Sequence, residues 1–378
     1  ISSAEGGERE ALLKLSQGVK DLISLGRGDP DLDTPKHIAE AGINAILQGK
    51  THYTHWAGIP ELREEISKKL KKDNNLNYSI DEIVTCVGVE QAMFIVLMAL
   101  LEPGDEVIMG DPHYTSYGEI INIVGGKQVV IPTFQEDNFA LRPSEIEKKI
   151  TDKTKLLVVI TPNNPTGAVI GADTLEEIAK IAVKHNLLVI SDEIYEKMIF
   201  DEDFKHVSIA TFPGMRERTI VFNGFSKCYS MTGWRIGYFA APRDFTEKLE
   251  VIMHSMIINA PTISQYAALE ALKSSDDCVK ETKAIYKQRR DVLKAALDRT
   301  GMKYSKPVGG MYMWVNVKDL NMTSFEFCKR LLLESRVLVF PGTVYGGGEG
   351  YVRISLLAPT EKFIEGVARI ERFINSLK

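Results

Sequence analysis

The chain has 378 residues, more than the roughly 250–300 that one hydrophobic core supports, so two domains are expected. Its 46 basic and 51 acidic residues leave a formal charge of −5, and the basic ones are spread along the chain, which excludes an electrostatic footprint for nucleic acid. Cys86, Cys228, Cys278 and Cys328 stand far apart without metal-ligand spacing, so reduced thiols are expected and no metal site.

The first residues hold no apolar stretch of signal-peptide type, and no run reaches the ~18 apolar residues that span a bilayer, so a cytoplasmic protein without membrane contact is expected. Ile1 stands where an initiator Met would, which leaves a longer native N-terminus open. Residues 1–20 read as a short amphipathic helix built on Ala11, Leu12, Leu13, Leu15 and Val19, followed by Leu22-Ile23-Ser24-Leu25 and a turn from Gly26 to Asp31. A second helix, Ala39–Leu47, follows Pro35, and a third, Glu61–Leu70, carries Pro60 in its first turn, where a missing N–H is harmless. Between them lies an aromatic loop, Tyr53-Thr54-His55-Trp56-Ala57-Gly58.

From Glu82 the pattern alternates strand and helix. Ile83–Val87, Glu106–Met109, Gln128–Ile131, Leu156–Ile160 and Leu187–Ile190 read as strands, with helices from Gly88 to Leu101, from Asp111-Pro112-His113-Tyr114 onward, and over Leu175–Val183. Short apolar runs alternating with helices predict an α/β fold. Its large domain has a mostly parallel sheet covered by helices on both faces, with ligands at the carboxyl ends of the strands. After Arg235 come helices Phe245–Met256, Ile263–Leu272 and Asp277–Leu297, then strands Met311–Val317, Val337–Phe340 and Val352–Leu356 and helices Ser324–Leu333 and Glu361–Leu377. The N-terminal segment has no core of its own, so a smaller α+β domain formed from both chain ends is expected.

The stretch from Asn223 to Arg235 lies between the β-rich runs Thr219–Phe222 and Ile236–Phe239, so Lys227 and Arg235 belong to a loop between strands. A lysine flanked by Phe225 and Tyr229 is expected to be partly desolvated, which favours the neutral amine for Schiff-base chemistry. Arg235 suits a phosphate. Amine and phosphate anchor together are what pyridoxal phosphate requires, although by themselves they also read as two solvated basic residues. Thr161-Pro162-Asn163-Asn164-Pro165-Thr166-Gly167 follows a strand, and a plain turn would also explain it. Asp192, in Ser191-Asp192-Glu193-Ile194-Tyr195, ends another strand, where a helix cap is the simpler role. Gly88-Val89-Glu90-Gln91 places free N–H groups at a helix start, which suits a phosphate or a tight turn.

In this order the stretches resemble the fold-type I, class I pyridoxal-phosphate aminotransferases, the group of the aspartate, alanine and aromatic enzymes. The likeness runs from Gly28-Asp29-Pro30-Asp31 to Val352-Arg353-Ile354-Ser355. It implies a large cofactor domain over 29–279 and a small domain from 1–28 and 280–378. It implies that Lys227 forms the internal aldimine and then acts as general base and acid, and that Asp192 pairs with the pyridine nitrogen. Tyr195 and Asn164 would hydrogen-bond the phenolic oxygen, and Tyr114 would stack on the ring. Ser226, Arg235 and the amides of Val89 and Glu90 would hold the phosphate, joined by Tyr53 of the partner subunit in a homodimer. Arg353 would grip the substrate α-carboxylate as a fork, with Asn164 beside it and Gly28 on the loop that closes over it. The implied reaction moves an amino group between an L-amino acid and a 2-oxo acid in ping-pong fashion.

Two positions depart from the pattern. Gly224 stands where some relatives carry a phosphate-binding serine, and Glu90 where some bacterial aspartate enzymes carry a lysine for the distal carboxylate. With His113, Tyr117 and Trp56 expected as an apolar or aromatic wall, Glu90 predicts neutral or aromatic donors, and 2-oxoglutarate as acceptor through an unassigned contact. A C–S lyase of the same fold and a non-catalytic cofactor-binding regulatory domain remain as alternatives.

Overall fold

The computed structural model describes residues 7–378. The first helix spans Glu8–Ser16, and the part of the expected helix over residues 1–6 lies outside the described residues.

Seven strands form the central sheet: β1 Ile83–Cys86, β2 Glu106–Asp111, β3 Lys127–Pro132, β4 Thr154–Ile160, β5 Leu188–Asp192, β6 Thr219–Gly224 and β7 Gly237–Ala240. Their order is β1-β7-β6-β5-β4-β2-β3. From β3 to β6 every neighbouring pair is parallel, and β7 runs antiparallel to both β6 and β1. The reversal follows from the connection: a loop rather than a crossover helix joins β6 to β7, and neighbours joined that way run antiparallel. Side chains alternate faces with period two. Val158, Ile160 and Ile190 pack with Val96 and Leu97 of the helix Gly88–Leu100, whereas Leu157, Val159 and Val189 pack with Leu175 and Ile178 of the helix Ala172–Lys184. Both faces are therefore covered, and the carboxyl ends of β2, β4, β5 and β6 are left to carry loops.

The helix expected from Asp111 starts only at Thr115. Pro112 disfavours helical backbone at Asp111, which instead ends β2. Tyr114 becomes the residue that precedes the helix, in extended conformation.

A second sheet, antiparallel, contains β8 Tyr312–Asn316, β9 Phe340–Pro341 and β10 Tyr351–Ser355 in the order β9-β10-β8. The strand expected over Val337–Phe340 is split. Val337–Leu338 pairs in parallel with Ile23–Ser24, and Phe340 turns to β10. Leu12, Ile23 and Leu25 are buried against Val337, Phe363 and Ile370, so the N-terminal segment finds its core in the C-terminal third. No helix among the described residues is long and apolar enough to cross a membrane.

Candidate active site

Loops from the large sheet and from the paired chain ends enclose one cavity of about 480 Å3. At one end it meets the start of the helix Gly88–Leu100. Gly88 has φ +73°, in the left-handed region, and a Cβ there would fall 2.7 Å from the Arg235 guanidinium. A Cβ on Gly237 would come within 3.0 Å of the Val89 nitrogen. These two glycines keep a hollow open between Arg235 and the amides of Val89 and Glu90, which are among the first, unpaired N–H groups of the helix. Arg235 is held by the carbonyls of Thr232 (2.9 Å) and Val87 (3.3 Å). Ser226 and Thr232 line the same cavity, with the Thr232 hydroxyl donating to Asp29. Unpaired amides, hydroxyls and a guanidinium form a cradle for a phosphate.

Deeper in, Asp192 ends β5. Its Oδ2 accepts the Tyr117 hydroxyl at 2.9 Å and its Oδ1 the Ile194 amide at 3.3 Å. No cation among the described residues pairs with it. Burial raises its pKa to about 6, against the pull of the Tyr117 and Ile194 hydrogen bonds. A buried carboxylate without a counter-charge, on the wall of a cavity, suits a protonated ring nitrogen. Behind it, Glu193 is bound by Ser191, Ser208, Asn74 and His206, and Lys69 pairs with Glu196, so this acidic group braces the loop after β5.

Lys227 is half-buried, and its Nζ donates to the Gly28 carbonyl at 2.7 Å. It lies 5.8 Å from the centre of the Tyr195 ring. Phe225 and Tyr229, expected to flank the amine, instead pack in the core, Phe225 against Tyr238 as well as against Tyr229. Tyr195 and Tyr312 stand hydroxyl to hydroxyl at 3.3 Å. Burial raises the Tyr195 phenol, and for Tyr312 the nearby charges of Arg353 and Lys227 overcome burial and lower it.

Arg353, on β10, lies between two aromatic faces, 4.1 Å from the Tyr312 ring centre and 4.5 Å from that of Tyr345. Its Nη1 donates to Asn164 Oδ1 (3.0 Å) and its Nη2 to the Gly26 carbonyl (2.7 Å), and its buried Nε has no partner among the described residues. The loop carrying Gly28 is anchored by Arg289, which forks onto Asp31 at 2.7 and 2.9 Å. Tyr114 also lines the cavity and donates to Glu90 at 3.2 Å.

Tyr53, expected to act from the partner subunit, is 79% exposed and does not line its own chain's cavity. Three other expected placements differ. His113 is buried away from the cavity, Trp56 packs beside the core of β1, and Tyr117 lies wholly in the core, where its hydroxyl binds Asp192. Tyr114, Tyr312 and Tyr345 form the aromatic wall in their place. Sequence reasoning missed Tyr312 and Tyr345. Both reach the cavity from segments whose local pattern reads as an ordinary strand and turn.

The profile described as aminotransferase class I and II matches residues 20–370. The chain belongs to this family. The aminotransferase is 44% identical to an aspartate aminotransferase of Pyrococcus abyssi, with 98% of this chain and 96% of that one covered. It is 41% identical to aromatic-amino-acid aminotransferase 2 of Thermococcus litoralis, over 98% and 96%. The crystal structure of an aromatic aminotransferase from Pyrococcus horikoshii superposes with a TM-score of 0.92, at 42% identity over 97% of this chain and 98% of that one. The protein is thus a pyridoxal-phosphate-dependent aminotransferase of fold type I, acting on amino acids and 2-oxo acids. The cavity fits that cofactor: an anion cradle, a buried uncompensated carboxylate and a lysine amine all line it.

Proposed function

We propose that the residues facing this cavity divide the work of transamination as follows. Arg235, Ser226 and the amides of Val89 and Glu90 hold the cofactor phosphate, and Tyr114 stacks on its ring. Asp192 holds the proton on the ring nitrogen. Pyridoxal phosphate, when bound, supplies the electron sink that makes the substrate α-proton acidic. Lys227 would supply the amine that holds the cofactor aldehyde and, as the base on the cavity wall, would carry the proton at the substrate α-carbon. Tyr195 and Asn164 donate to the cofactor's phenolic oxygen. Arg353 binds the α-carboxylate, its free Nε and its position between two rings favouring a planar anion.

The observation that carries this reading is that Lys227, Asp192 and Arg353, from three distant segments, all face one cavity. Lys227→Ala should lose transamination while still binding cofactor through the phosphate and ring contacts. Near wild-type turnover in that variant would sink the assignment.

Three further points belong to the same proposal. Residues 29–279 form the cofactor domain and the paired ends, 1–28 and 280–378, a small domain that closes over substrate, supported by the pairing of Ile23 with Val337. The active form is a homodimer in which Tyr53 reaches the phosphate of the other subunit, supported by the exposure of Tyr53 and of Val251, Met256 and Ile257. The enzyme works in the cytoplasm with reduced thiols, supported by free Cys86, Cys228, Cys278 and Cys328.

A further inference from the structure

Arg9 lies on the N-terminal helix Glu8–Ser16, yet it lines the active-site cavity. Two contacts set the helix there: Leu12 is fully buried, and the Glu8 carboxylate accepts the Thr343 hydroxyl. The Arg9 guanidinium sits over the Phe340 ring at 5.5 Å from its centre. That ring abuts Gly26, where a Cβ would fall 2.8 Å away, and the Gly26 carbonyl accepts from Arg353. One aromatic ring and one glycine thus separate Arg9 from Arg353.

The other cations of the cavity have partners. Lys227 donates to Gly28, Arg235 to Val87 and Thr232, and Arg353 to Asn164 and Gly26. Arg9 forms no ion pair among the described residues. A second guanidinium on the cavity of Arg353 favours an anion between the two, and a diacid held on Arg353 by one carboxylate has its second only a few bonds away. Glu90, whose position would repel that group, is engaged by the Tyr114 hydroxyl, and Glu119 and Asp192 are the other carboxylates lining the cavity.

We propose that Arg9 binds the distal carboxylate of a dicarboxylic amino acid or 2-oxo acid. This supplies the contact for 2-oxoglutarate that no motif revealed, and it rests on Arg353 holding the α-carboxylate.

The test uses the holoenzyme and two unreactive ligands of equal length, succinate and butyrate, with dissociation constants measured by calorimetry. Wild type should bind succinate about ten- to a hundredfold more tightly than butyrate, as expected for one added charge-assisted contact. Arg9→Gln should erase the preference while leaving butyrate binding unchanged. The same variant should lower kcat/KM for glutamate and leave that for alanine within about twofold. A wild type without the preference, or an Arg9→Gln variant that keeps it, overturns the proposal. Arg353→Ala separates the underlying reading: if it binds butyrate as wild type does, the α-carboxylate assignment fails whatever the Arg9 variant shows.

Discussion

Tyr117 donates its hydroxyl proton to Asp192 Oδ2 across 2.9 Å, from inside the core and behind the cavity wall. The bond stabilises the ionised carboxylate and works against burial, which holds the Asp192 pKa at about 6. Without it the carboxylate should take up its proton at higher pH. In Tyr117→Phe the acid-side midpoint of cofactor binding should move up by about one to two units, the size of one hydrogen bond to a charged group. Equilibrium dialysis of pyridoxal phosphate against apoenzyme at a series of pH values measures it. An unmoved midpoint would mean that Tyr117 only fills space.

The same carboxylate makes stability depend on pH. The folded-state pKa of Asp192, about 6, lies above its ordinary 3.8, so the folded state binds the proton more tightly than the unfolded state. The resulting stabilisation is complete below the ordinary value and is lost as pH rises through about 6. At pH 7–8 the apoprotein carries the penalty of a buried charge, on the order of 3 kcal/mol at most. Asp192→Asn should therefore unfold at higher urea than wild type at pH 8, with the gap narrowing toward pH 4. The variant should also lose about two to three orders of magnitude in transamination, as when a buried electrostatic partner of a reacting group is removed.

Gly224 is a site where bulk is excluded. A Cβ there would lie 3.0 Å from the Gly237 Cα on the neighbouring strand and 3.4 Å from Ile194 Cδ1. Gly224→Ser should cost about 1–3 kcal/mol of stability by overpacking, with no gain in cofactor affinity. Tighter cofactor binding at unchanged stability would show that the serine finds the phosphate after all.

Tyr53, 79% exposed and away from its own cavity, makes the dimer testable by complementation. Tyr53→Ala and Arg235→Ala should each be nearly inactive alone. After subunit exchange, half the dimers are mixed and carry one intact and one doubly damaged site, so about a quarter of wild-type activity should return. No recovery after demonstrated exchange would place the whole site within one chain.

The buried apolar runs of β2, β4, β5 and β6, each bounded by turn residues, were enough to read a mostly parallel sheet, because burial on both faces is written into consecutive residues. The same runs locate Asn164, Asp192, Tyr195, Ser226 and Lys227, since a residue just past a strand's carboxyl end is placed by the strand itself. What local pattern could not show was direction and approach. Tyr114 and Tyr117 stand three residues apart, but Tyr114 precedes the helix in extended backbone, so it faces the cavity while Tyr117 enters the core. The reversal of β7 depended on which strand it would pair with. Arg9, Tyr312, Tyr345 and Arg353 meet only because residues at the two ends of the chain bury Leu12, Ile23, Leu25, Val337 and Phe363 in one core. That association is driven by apolar area with no direction of its own, so the side chains it brings together are decided by the packed tertiary structure and not by any short stretch of sequence.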